Sequence, residues 1–95
     1  MKRLYMTAYR YRKDLGEGDL RELAKKFAEL GTSPGSIAHY ERLDGAGGFI
    51  IADVSDEDAA RSYEITIRYS PWLDMEVFPI TTIEDAYPVI QKVYG

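Results

Sequence analysis

The chain contains no cysteine. Disulfides, thiol nucleophiles and thiolate metal sites are therefore excluded. Histidine and tryptophan occur once each, as His39 and Trp72. A catalytic zinc usually takes three protein ligands, commonly with more than one histidine, so a lone histidine argues against a metal or haem enzyme. No cofactor is expected. Long apolar runs are missing as well, and nothing approaches the roughly 20 residues of a membrane span. The start, MKRLYMTAYRYRKD, has two early basic residues but no apolar stretch long enough for a signal peptide. The cytoplasm is the expected compartment, with no membrane partner. Positive charge is scarce: 12 Lys and Arg against 16 Asp and Glu give a net charge of −4. The densest basic stretch, Lys2, Arg3, Arg10, Arg12 and Lys13, is followed closely by Asp14, Glu17 and Asp19. An acidic chain of this kind repels phosphate backbones, so no nucleic-acid partner is expected.

What is present is enough for one core. Ninety-five residues, 45% of them hydrophobic, make a single domain spanning 1–95. Eight tyrosines are many for this length. A tyrosine joins a large apolar ring to a polar tip, which suits strands, interfaces and pocket walls.

Periodicity divides the chain into alternating elements. Arg3 to Tyr11 reads as a strand, with Leu4, Met6 and Ala8 alternating with Tyr5, Thr7 and Tyr9. Asp19 is placed to cap a helix, with Glu22 three residues on, and Leu20, Leu23, Ala24, Phe27 and Leu30 form one apolar stripe. Gly31 and Pro34 end it. Ser36 to Leu43 and Phe49 to Val54 read as two strands joined through the glycine-rich DGAGG turn, a hairpin pattern. Ser55 is placed to cap a second helix that carries Ala59, Ala60, Tyr63 and Ile67 inward and ends at Ser70-Pro71. Leu73 to Thr82 is a fourth strand. A terminal helix runs from Thr82 or Ile83 to Tyr94, and Pro88 is expected to divide it in two. The order βαββαβ plus a tail helix is that of a ferredoxin-like α+β fold, a four-stranded antiparallel sheet with both main helices on one face.

The strands are apolar on both sides. Leu4, Met6 and Ala8 oppose Tyr5, Thr7 and Tyr9; Phe49 and Ile51 oppose Ile50, Ala52 and Val54; Leu73, Met75 and Val77 oppose Phe78 and Ile80. Two helices on one face leave the other needing cover. An identical sheet related by a twofold axis is the simplest cover, so a homodimer is expected. The rival is a terminal helix folded back over the open face.

The residues from Gly35 to Ile80, with LYMTAYRY in the first strand, IADVSDED closing the hairpin and DMEVFPITT in the last strand, resemble the dimeric α+β barrel superfamily, and most of all its small bacterial and phage domains. More distantly, His39, Arg42, IADV and SPWLDMEV resemble the muconolactone isomerases. The superfamily includes isomerases, cofactor-free monooxygenases, haem-degrading enzymes and domains without known activity, so the resemblance implies a fold and not a reaction. Carried over from the isomerases, His39 and Arg42 would be site residues.

His39 is the only side chain with an ordinary pKa near neutrality. Glu41 shares its strand face, and Tyr40 and Arg42 point the other way. His39 and Glu41 could act as a base and its orienting partner. The opposing reading is a strand histidine beside a surface carboxylate. Asp53 is placed to pair with His39 or Arg42, or to cap the turn after it. The DGAGG turn lacks a following helix and a phosphate-binding lysine, which excludes a nucleotide loop. Three functions stay open. One is a homodimeric module binding a small apolar or aromatic molecule in a sheet–helix cleft lined by tyrosines including Tyr63, and by Met6, Trp72 and Met75. The second is a cofactor-independent isomerase or monooxygenase using His39. The third is a purely structural dimer.

Overall fold

A computed structural model describes residues 2–95. The elements in chain order are β1 (Lys2–Tyr11), α1 (Glu17–Leu30), β2 (Ser36–Glu41), β3 (Gly47–Ser55), a short 3-10 turn at Asp56–Asp58, α2 (Ala59–Tyr69), β4 (Leu73–Pro79) and α3 (Ile83–Tyr94). The strands form one antiparallel sheet in the order β2-β3-β1-β4. This is the ferredoxin-like α+β architecture expected from the element order.

Register sets which side chains share a face. Glu41, Gly48, Tyr9 and Met75 form one row across the sheet, and His39, Ile50, Thr7 and Val77 form the next on the same face. That face carries the helices. Tyr9, Ile65, Tyr69 and Leu73 are buried together there, with Leu23, Leu30, Ile50, Trp72 and Met75 packed around them. Tyr69 also donates its hydroxyl to the Gly31 carbonyl at 2.7 Å, tying α2 to the end of α1. The opposite face carries the rows Tyr40, Phe49, Ala8, Glu76 and Ala38, Ile51, Met6, Phe78, with Leu4 opposite Asp53 beyond them. Among the described residues no element covers it.

Three local expectations are corrected. Helix α1 begins three residues earlier than its apolar stripe suggests. Its N-cap is Gly16, and Asp19 sits three residues into the helix, where its carboxylate accepts the Gly16 N–H at 2.9 Å. Helix α2 buries Ile65 and Tyr69, whereas Ala59, Ala60, Tyr63 and Ile67 face outward. The α2 sequence carries apolar residues on both sides, and Ile65 with Tyr69 is the pair that meets Tyr9 and Leu73. Helix α3 is a single element that continues through Pro88, with Thr82 Oγ1 accepting the Asp85 N–H at 3.2 Å. Proline lacks an N–H and so leaves the Glu84 carbonyl without its helical donor. The exposed position of α3 lets water take that place. It packs substantially on no other element, so it does not fold back over the open sheet face. No helix among the described residues is long and apolar enough to cross a membrane.

Candidate functional site

The helices do not seal the sheet beneath them. Helix α1 has no buried residue, and its Leu20 and Phe27 are nearly half exposed. A cleft of about 870 Å³ lies between α1, α2 and the sheet. Its floor and walls are largely apolar: Leu23, Ala24 and Phe27 from α1, Ile65 from α2, and Ile50, Leu73 and Met75 from the strands.

One end of the cleft is polar, and strand register builds it. Tyr9 on β1 and Glu41 on β2 lie in the same row, with Gly48 of β3 between them. A Cβ at Gly48 would stand 2.4 Å from the Tyr9 hydroxyl and 2.4 Å from the Tyr40 carbonyl. Glycine is therefore what lets the Tyr9 ring cross β3. Its hydroxyl lies 2.7 Å from His39 Nε2 and donates to Glu41 Oε1 at 2.7 Å. Tyr11 donates to the other carboxylate oxygen, Glu41 Oε2. The rings of Tyr9 and Phe27 each meet His39 edge-on, with centroids 5.7 and 5.9 Å away.

Hydrogen-bond inventory fixes the proton positions. A phenol has one proton, and a carboxylate can only accept. Tyr9 gives its proton to Glu41, so it accepts from His39 Nε2–H, and Nδ1 of a neutral imidazole carries the free lone pair. Burial holds the Tyr9 phenol well above its ordinary value, reinforced by the bond to Glu41. The same causes in the same order raise Tyr11 to about 12. Both phenols therefore stay protonated donors at neutral pH.

Of the residues anticipated for the site, His39, Glu41 and Met75 line the cleft. Others lie elsewhere. Met6 occupies the open face of the sheet, because β1 alternates and Tyr9 has the helix side. Tyr63 is 69% exposed on the outer side of α2. Trp72 packs against the buried core without lining the cleft. Arg42 lies in a shallow depression of the open face with Arg10, Phe49 and Glu76, where it pairs with Asp44. The Ala46 N–H, and then Arg42, hold Asp44 below the usual carboxylate range. Asp53 shares that open face, opposite Leu4 and away from His39. No group of three or more potential metal-ligating side chains occurs among the described residues.

The comparison with known families covers nearly all of the fold just described. The description "Domain of unknown function (DUF3303)" is that of a family matching residues 3–94. The chain belongs to this family. No curated protein matches it. The family description carries no activity, so any functional reading rests on the cleft and the two faces of the sheet.

Proposed function

We propose that this protein is a homodimeric binding domain that takes a small apolar or aromatic molecule into the sheet–helix cleft. The observation that carries this reading is the cleft itself. Its volume is in the range of small-molecule sites, and it joins apolar walls to one polar cluster, the usual composition of such sites. The uncovered apolar rows on the other face support the dimer, in the manner of the dimeric α+β barrels. A purely structural dimer would have no use for the open cleft.

Indole, a neutral aromatic, is a suitable first probe. Titration at millimolar concentration should produce saturable NMR shifts at the methyls of Ile50, Ile65 and Met75. Linear or absent shifts there would sink the reading. His39→Ala should leave fold and dimer intact, because His39 is exposed.

A second reading has its own support. His39 Nε2–H, the Tyr9 hydroxyl and Glu41 form a continuous chain of donors and acceptors, leaving Nδ1 available as a base. This suits a cofactor-independent isomerase moving a proton. Deuterium uptake from D2O into an enolisable aryl ketone, lost in His39→Ala, would favour it over simple binding.

A further inference from the structure

We infer that the cleft selects an apolar amine, an aromatic or aliphatic body with a cationic nitrogen head, and rejects carboxylates. The inference rests on the cleft being a ligand site, and it follows from counting donors and acceptors at the polar end. Both phenol protons are committed to Glu41, and the His39 Nε2–H is committed to Tyr9. What these four side chains leave for a ligand is acceptor capacity. A carboxylate has about four lone-pair positions, of which the phenols use two, and His39 Nδ1 adds another. A primary ammonium supplies three donors and no acceptor, the complementary set.

Charge points the same way. The cationic side chain lining the cleft is Arg12, and it is engaged by Asp74 at 3.2 Å and by the Ser70 carbonyl at 2.8 Å. An entering carboxylate would meet Glu41 with no free cation among the described lining residues. Hydroxyl donors elsewhere in the lining, such as those of Thr7 and Ser33, carry no charge to offset that repulsion. An ammonium meets an anion whose two bound phenols hold it in place. Tyr9, Tyr11 and Phe27 also line the cleft and supply aromatic surface to which a cation is attracted.

Three probes with one aromatic body separate the possibilities: 2-phenylethylammonium, 2-phenylethanol and phenylacetate. They would be titrated into the full-length protein at neutral pH and low salt, with NMR of the Ile50 and Met75 methyls as readout. The amine should bind about tenfold or more tighter than the carboxylate, since one gains and the other loses a partly exposed ion contact. The alcohol should fall between. Glu41→Gln should remove most of the amine's preference over the alcohol. Tyr11→Phe frees one carboxylate oxygen and should strengthen amine binding. Phenylacetate binding as tightly as the amine, or an amine preference that survives Glu41→Gln, would overturn the inference and leave the cleft reading standing. If no probe shifts the cleft methyls, the cleft reading itself fails, and this inference with it.

Discussion

At the scale of residues, the candidate site depends on Tyr9. One buried phenol accepts from His39 and donates to Glu41. Tyr9→Phe keeps the ring and removes only those bonds. Because one partner is a carboxylate, the loss should be about 1.5–3 kcal/mol in urea unfolding, at the low end given the exposure of Glu41. The raised phenols also make stability depend on alkaline pH. Each is neutral when folded and ionises more readily when unfolded. Their contribution is complete below the ordinary phenol value of 10.0 and is lost as pH rises through about 12 for Tyr11 and beyond it for Tyr9. Denaturation midpoints should fall steeply between about pH 10 and 12, and less steeply in a Tyr9→Phe, Tyr11→Phe double variant. An equal slope in both proteins would show the phenols to be unlinked to folding. His39 and Glu41 were legible in the sequence because two polar residues spaced i, i+2 share a strand face. Tyr9 and Tyr11 have the same spacing, but eight tyrosines hid the pair. Only register, with Gly48 between Tyr9 and Glu41, sets it opposite His39 and Glu41.

At the scale of elements, the strands were read well and the helix faces less so. Alternation over β1, β3 and β4 fixes parity directly, since the strand period is two residues. A helix face needs the phase as well as the period, and with apolar residues on both sides of α2 the composition does not set which side meets the sheet. In the sequence the glycine pair Gly47-Gly48 has the look of a turn, as glycine clusters usually do. Both residues are buried strand positions, and they leave space for β1. This gives a test of opposite signs. Gly48→Ala forces a Cβ against the Tyr40 carbonyl and the Tyr9 hydroxyl, and should cost about 1–3 kcal/mol while dispersing the Tyr9–His39–Glu41 cluster. Gly18→Ala, within α1 and with no atom near the new Cβ, should instead stabilise by about 0.5–1 kcal/mol. Thermal denaturation of the two variants checks both signs. If Gly48→Ala melts like the parent, the close approach of Tyr9 to β3 does not constrain the fold.

At the scale of the molecule, the chain is less compact than its length requires. Its radius of gyration is 15.7 Å, where about 12 Å is usual for this many residues. Much of the excess is α3, which stands clear of the other elements with Ile90 50%, Val93 64% and Tyr94 87% exposed. A 12-residue helix with an uncovered apolar side is marginal by itself in water. The open sheet face poses the same problem, and the proposed twofold partner would answer both. The sheet contact alone is small. Four strands ~4.8 Å apart and apolar rows spanning ~17 Å give a footprint of roughly 320 Å². Side-chain relief that doubled this would still fall short of the ~800 Å² per partner of a standard interface. The α3 faces are the remaining apolar surface next to it, so deleting residues 83–95 should weaken the dimer. The two central isoleucines separate the proposed interface from the core, because register places Ile51 on the open face and Ile50 in the cleft. Ile51→Lys should give a folded monomer, with a native far-UV spectrum and half the mass by light scattering. Ile50→Lys should destabilise the domain itself, since it sets a charge among Leu73, Met75 and Tyr9. Wild-type protein that scatters as a monomer at micromolar concentration would refute the dimer, and an Ile51→Lys variant that stays dimeric would move the interface off this face.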